Sequence, residues 1–487
     1  MGLGLETILV FTLFALLYAG LVRGRARQWV LLGASVLAVF WLQPWLPLRY
    51  ADFLLPAFTL ALTVTGWWAT RKRDDAGVQP VRREDWIALG VVVGLALLMG
   101  MNRFLAPDLR LTPSRPPGPT LWLGILALTG LVLALIGRLL RTDGARWVLL
   151  AGIGIILALF LILKTPALTE AVARWWRGMV GQDPSLASGA DLRWLGFSYV
   201  SFRIIHTLRD RQTGLLPELG LGEYVTYVVF FPAFIAGPID RAERFRRDWL
   251  ALPDLHGLEA GRLGEGAMRI LVGMFKKFVI ADTLALGMAL TPDLAQQTHN
   301  PLALWGLLYG YAFRLYFDFA GYTDIAIGVG LLLGIRLPEN FRQPYLSTDI
   351  TSFWQRWHIT LSNWVRFYLF SPLTRSLLRR QPRPSPTLIV FVGLMATMIA
   401  IGLWHGITWT FFIWGAWHGL GLFIHKQWSD RTRKWYRRLG EHPWRKRAWT
   451  GFAWFLTFQF VTLGWIWFLL PDLSLAARTF LRLFGWG

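Results

Sequence analysis

The sequence contains no cysteine. That excludes disulfides, a cysteine nucleophile, thiolate metal sites and any S-acylated enzyme intermediate. Charge is also scarce. Only 16% of the 487 residues are Asp, Glu, Lys or Arg, against about 25% in an ordinary soluble chain. Acidic residues are the scarcer sign, 29 against 50 basic ones. No Gly-Xaa-Ser-Xaa-Gly elbow, Walker loop or His-Glu-Xaa-Xaa-His pair occurs, which removes the serine-hydrolase, P-loop and zincin routes. No internal repeat is clear enough to mark an inverted-repeat transporter.

What fills the chain is apolar surface, 54% of all residues. Apolar runs near 18–20 residues recur from end to end, the length that crosses about 30 Å of hydrocarbon. The runs are continuous rather than alternating, which disfavours a β-barrel. The expected fold class is an all-α polytopic membrane protein with about 11–13 membrane segments at ~20 residues each, some re-entrant. The net charge of +21 then belongs to loops, where it orients the chain and meets anionic lipid, not nucleic acid. The first run, Glu6 to Val22, has no basic segment before it, so it reads as a span and not as a cleaved signal.

Six spans are expected at 6–22, 29–45, 51–70, 86–101, 121–140 and 147–165. Basic loops follow the first ("RGRAR"), third ("RKRDDAGVQPVRRED") and fifth ("RTDGAR"). The positive-inside rule puts those loops in the cytoplasm and both termini outside, in a multi-pass protein of the cell membrane. Trp175-Trp176, between Arg174 and Arg177, reads as an interfacial anchor. Residues 1–190 are thus expected to be lipid-facing scaffold. From Asp191 the runs shorten and are broken by Pro, Gly and charge, as in "FFPAFIAGPIDRAERF" and "YFDFAGYTDIAIGVGLLLGIRLPENFRQPY". Such interruptions are tolerated at membrane depth only inside protein or beside a wet cavity. Residues 191–425 are therefore the expected working core, and 426–487 a basic cytoplasmic loop followed by a last span. A helical hairpin, 387–403 and 408–424, would carry His405-Gly406 at its turn.

Chemistry centres on histidine. His256, His299 and His442 lie in polar loops, and His425 closes a span. His358 lies in "SFWQRWHITLSNW", where Arg356, Ser362 and Asn363 bring further polar groups onto what reads as one aromatic-rich helix. An intramembrane imidazole is costly unless used, so His405 is a functional candidate by default. His418, 13 residues later, reads more as a packing residue. Asp318 and Asp324 sit in an apolar segment, with Arg314 or Arg336 as the expected partners. "PEN" at 338–340 would shape the core without reacting. The carboxylate or thiolate partners of a transition-metal site are not evident near these histidines, so no metal is expected.

Four blocks carry a resemblance: "FFPAFIAGPIDR", "YFDFAGYTDIAIGVGLLLGIRLPENFRQPY", "FWQRWHITLSNWVRFYL" and "GLWHGITWTFFIWGAWHG", in order over residues 230–419. They are similar to the membrane-bound O-acyltransferase family, in its bacterial branch of alginate O-acetyltransferases and teichoic-acid D-alanyl transferases. The resemblance implies a ring of helices around a thin core with a tunnel. It implies no bound cofactor, but an acyl thioester co-substrate (acetyl-CoA or an acyl carrier protein) on the cytoplasmic side. The acceptor would be an extracytoplasmic glycan hydroxyl, met directly or through a partner acyltransferase. The family's invariant histidine falls on His405 and the branch's second one on His358. Histidine suits the task, since its unperturbed pKa of about 6.5 makes it a base near neutral pH. Arg356, Ser362, Asn363, Trp404 and Asp324 are the candidate substrate-binding residues. Two departures stand out: Phe367 occupies the position of the alginate-type enzymes' Asp, and His206 appears in the upstream block. Transfer to a lipid or protein hydroxyl, or a transporter using the histidines as proton relays, are the competing readings.

Overall fold

The computed structural model describes residues 4–74, 77–105, 111–141, 144–257 and 259–486. Parts of the loops after the third, fourth and fifth expected spans, at 75–76, 106–110 and 142–143, lie outside the described residues. Long apolar runs fold as helices because all backbone bonds close within the segment. The six N-terminal runs become α1 (Leu5–Leu21), α2 (Ala26–Trp41), α3 (Ala51–Ala69), α4 (Arg83–Leu105), α5 (Pro119–Leu140) and α6 (Ala145–Lys164). Then follow α7 (Pro166–Met179), α8 (Phe197–Gln212), α9 (Leu221–Val229), α10 (Ala242–Ala251) and α11 (Ala260–Met274). A π-helix, Phe275–Ala281, joins α11 to α12 (Asp282–Ala285), and α13 (Pro292–Gln297) precedes the 32-residue α14 (Pro301–Leu332). Short helices α15 (Ile350–Trp354), α16 (Ile359–Val365) and α17 (Ser371–Leu378) lead into α18 (Pro386–His405), α19 (Trp409–Leu439), α20 (Pro443–Leu469) and α21 (Leu473–Arg482). Among the described residues the extended structure is a two-residue antiparallel ladder, Arg73–Asp74 with Gly77–Val78. Among the described residues six helices (α4, α5, α6, α14, α18 and α20) are long and apolar enough to cross a membrane, and α1 and α2 are shorter apolar helices. This is an all-α, multi-pass membrane protein.

The chain forms two compact units, Gly2–Ile270 with Ala326–Leu337, and Leu271–Ile325 with Pro338–Gly487. In the first, α5 and α6 present nearly all their apolar surface outward, as lipid-facing scaffold should. Helix α3 departs from that expectation. It is buried along its length, including Asp52, whose carboxylate accepts from the Ser114 hydroxyl at 2.6 Å. The Trp pair of α7 is split. Trp175 is exposed, while Trp176 Nε1 donates to the Arg49 carbonyl. Neighbouring Arg177 is buried against Asp191 at 2.8 Å.

The broken "FFPAFIAGPIDR" run follows from unmet backbone groups. Helix α9 stops at Val229 and a 3₁₀ turn spans Phe231–Ala233. Arg203 of α8, fully buried, donates to the Val228 and Ala233 carbonyls, both at 2.8 Å. These orphan carbonyls need a donor at this depth, and a buried guanidinium supplies two. Buried Asp240 closes the turn with Arg244.

In the second unit the expected hairpin is present. Helices α18 and α19 form its arms, and residues 406–408 its turn. Ser385 and Thr408 cap the two arms by accepting from Leu388 N and Phe411 N. The basic stretch 425–449, expected as a loop, is instead helical on both sides of a turn at 440–442. Its Lys426–Asp430 pair and Arg/Lys-rich composition suit exposed helix, where long stems cost little.

Candidate active site

His405 is the last residue of α18, at the hairpin turn. Its ring is half-buried and walled by Trp404 (4.4 Å between centroids), Phe468 (4.7 Å), Phe411 and Trp414 (both 5.7 Å). Trp404 also reaches the His358 ring at 6.3 Å, and Phe319 packs edge-on against His358 at 4.8 Å. One aromatic-walled cluster therefore holds His358, Trp404 and His405.

His358 does not lie within a continuous helix, contrary to the sequence reading. It sits at the break between α15 and α16 with φ +43°, a left-handed conformation. Such a conformation costs a β-carbon-bearing residue of order 1–3 kcal/mol and persists only where its surroundings dictate it. Here Asn340 dictates it. The Asn340 carbonyl accepts from Ile359 N at 2.9 Å, and its Oδ1 accepts from the Thr360 hydroxyl at 2.6 Å. Arg342 N donates to the Arg356 carbonyl at 3.0 Å. The "PEN" loop thus shapes the bend that aims His358. The imidazole is 3% exposed, and among the described residues neither ring nitrogen has a hydrogen-bond partner. A buried polar group left this way is rare and calls for an explanation.

The other candidates go elsewhere. Arg356 and Asn363 are exposed, and the Ser362 hydroxyl donates to the Trp357 carbonyl at 3.3 Å. Asp324 is buried and bound by Lys276 at 2.6 Å, while Asp318 binds Lys277 at 2.5 Å. These lysines were not among the partners expected from the sequence, Arg314 and Arg336. Arg336 belongs to Glu265 instead, at 3.7 Å. The cations come from the facing π-helix, where Gly273 and Gly321 let the two backbones approach closely. A β-carbon on Gly273 would stand 2.6 Å from the Gly321 carbonyl oxygen. Two adjacent lysines in the apolar "MFKKFVIADTLAL" run were the available signal, since intramembrane cations need partners. Replacing Lys276 by Met should lower stability by about 3–5 kcal/mol, because the Asp324 carboxylate stays buried. Adding Asp324→Leu should restore most of it. Thermal unfolding in detergent checks this, and an unaltered single variant would refute the pairing.

Three further histidines lie in buried or half-buried surroundings outside the cluster. His418 is fully buried among Trp414 (4.9 Å), Trp354 (5.2 Å) and Phe460 (5.9 Å). Neither of its ring nitrogens has a partner among the described residues, as at His358, but aromatic rings enclose it and it makes no ring contact with His358 or His405. His425 holds the start of α15: its Nδ1 meets the Thr351 hydroxyl at 3.0 Å, and Asp349 lies at 3.8 Å. Separately, His206, Asp210 and Glu243 bring potential ligand atoms within 4.8 Å of one another. However, Ala242 N–H donates to His206 Nε2, and Arg241 binds both carboxylates at 3.2 Å. That arrangement is an ion-pair network with its cation already in place.

Residues 192–469 match the membrane-bound O-acyltransferase family. The chain belongs to that family. Its relatives include a teichoic acid D-alanyltransferase of Streptococcus thermophilus, 35% identical over 288 residues, covering 56% of this chain and 68% of the relative. A probable alginate O-acetylase AlgI of Pseudomonas fluorescens is 36% identical over 300 residues, 60% of this chain and 54% of the relative. A peptidoglycan O-acetyltransferase of Helicobacter pylori is 35% identical over 263 residues, 54% and 46%. The chain thus spans about half the length of the two acetylases. The class is that of membrane acyltransferases, and all four sequence blocks, including His358 and His405, fall inside the matched region.

Proposed function

We propose that this protein transfers an acyl group, acetyl in the first instance, from a cytoplasmic thioester to a hydroxyl of a cell-envelope polysaccharide. The observation that carries the reading is the cluster itself: a half-buried imidazole at a hairpin turn, joined through Trp404 to a second imidazole with unmet nitrogens. The relatives' names, which cover teichoic acid, alginate and peptidoglycan, support an envelope polymer as acceptor. His405 takes the proton from the acceptor hydroxyl as its oxygen attacks the thioester carbonyl. The C–S bond breaks, and the thiolate leaves with that proton returned by the imidazolium. General-base help of this kind is worth about 10²–10⁴ in rate. His358, with nitrogens unspent on the protein, donates to the carbonyl oxygen or orients the substrate, an effect worth up to ~3 kcal/mol. An S-acyl enzyme is excluded because the chain has no cysteine, and the proposed transfer is direct. The donor is acetyl-CoA or an acyl carrier protein, and the membrane is the cell membrane.

Mass spectrometry of envelope polymers from cells with and without the protein tests the assignment. Loss of ester-linked acyl groups from a glycan is expected. An unchanged glycan with altered lipid or protein acylation would move the acceptor to those classes, and no change in any acylation would favour a transporter.

A further inference from the structure

A cavity of about 790 Å³ lies in the unit formed by residues 2–270 and 326–337, away from the histidine cluster in sequence and in lining. It opens where four helices end or begin: Ala69 closes α3, Leu140 closes α5, Arg146 opens α6 and Arg209 lies in the last turn of α8. Five cations line it, namely Arg71, Lys72, Arg146, Arg209 and Arg211. Among the described residues its one carboxylate, Glu218, is already paired with Arg82 outside the cavity. Arg211 is spent on the wall, donating to the Thr70 and Pro217 carbonyls. Arg71, stacked on Trp68 at 4.7 Å, has no ion pair among the described residues, nor have Arg146 and Arg209. Among the described residues the lining is therefore strongly positive, with cations in excess of carboxylates. Its remaining wall is aliphatic: Leu140, Leu149 and Leu150. These belong to α5 and α6, the helices whose apolar faces are the least buried of the candidate spans.

We propose that this cavity binds the phosphodiester headgroup of an anionic phospholipid. The guanidinium groups without an ion pair, of which Arg209 also donates to the neutral Gln212 side chain at 2.8 Å, recognise the phosphate through charge-assisted hydrogen bonds. The leucines and the outward faces of α5 and α6 receive an acyl chain. A basic pocket between membrane helices at a cytoplasmic boundary suits this ligand, and the "RTDGAR" loop between α5 and α6 is one of those that the charge rule puts there. A soluble phosphate ester would satisfy the cations but would leave the leucines beside the headgroup without a partner, which is why a lipid fits better.

The test uses the purified full chain exchanged into nanodiscs of equal phosphatidylglycerol and phosphatidylcholine, with retained lipid read by native mass spectrometry. Preferential retention of phosphatidylglycerol is expected. Arg146→Gln with Arg209→Gln should cut that preference by roughly 25-fold, at about fivefold for each basic side chain removed. Arg433→Gln with Lys434→Gln, on the exposed basic end of α19, should leave it unchanged. If the cavity double variant is not recovered as a monodisperse protein, Lys72→Gln, at an exposed position, should cut the preference in the same direction. Equal retention of the two lipids, or a preference indifferent to the cavity variants, overturns the proposal. So does displacement of the lipid by millimolar inorganic phosphate, which would assign the cations to a soluble phosphate.

Discussion

Purified His405→Ala is expected to fold and to melt close to wild type, yet to transfer acyl groups about 10²–10⁴ times more slowly. The ring is only half-buried and terminates α18, so its removal leaves the Ser385 and Thr408 caps and both hairpin arms in place. His418→Ala should behave in the opposite way. Its ring is fully enclosed by Trp414, Trp354 and Phe460, so truncation opens a cavity worth about 2–4 kcal/mol. Stability should fall first, and turnover per folded molecule should survive. Comparing single-turnover rates with melting temperatures for both variants separates the roles. Wild-type transfer by His405→Ala, or inactivity of well-folded His418→Ala, would mean that the wrong Trp-His-Gly triplet has been given the proton.

The second large effect is expected at the glycines that close the hairpin. A β-carbon on Gly402 would stand 2.2 Å from the Phe411 carbonyl oxygen, and one on Gly415 would stand 2.6 Å from the Met398 carbonyl oxygen. Both obstacles are backbone, so neither can swing aside. Close approach through small residues is how membrane helices gain packing where water supplies no hydrophobic drive. Gly402→Ala should cost roughly 1–3 kcal/mol by overpacking. Gly402→Leu should prevent the hairpin from closing, so that folded protein is not recovered and the turn bearing His405 is lost. Gly154→Ala, in α6 with nothing within 4 Å of the added carbon, is the matched control and should be silent. A Gly402→Leu protein that melts with wild type would show that α18 and α19 do not approach this closely.

Much of the helical frame was legible in the sequence, because apolar length and basic flanks are local properties. The six N-terminal helices begin and end within a few residues of the apolar runs, and the α18–α19 hairpin turns at the expected Gly406. The breaks were not legible. Nothing local to "RWHITL" announces that His358 adopts a left-handed conformation, since the cause is Asn340, 18 positions earlier. The lysine partners were illegible for the same reason: proximity in sequence favoured Arg314 and Arg336, whereas Lys276 and Lys277 arrive from a facing helix. The proposed catalytic pair was reached through its aromatic contexts and the resemblance of four blocks. Arg356 and Asn363, drawn in by sequence adjacency to His358, proved to be exposed once the helix was broken.

The central claim is direct transfer of an acyl group across a histidine-bearing membrane core. It is tested most directly by following an isotope-labelled acyl thioester with the purified full chain in proteoliposomes supplied with envelope glycan. The account predicts label in ester linkage to the glycan, dependent on His405, with no labelled acyl group covalently trapped on the protein at any quench time. Label accumulating on the protein, or crossing the membrane without ester formation, would contradict it.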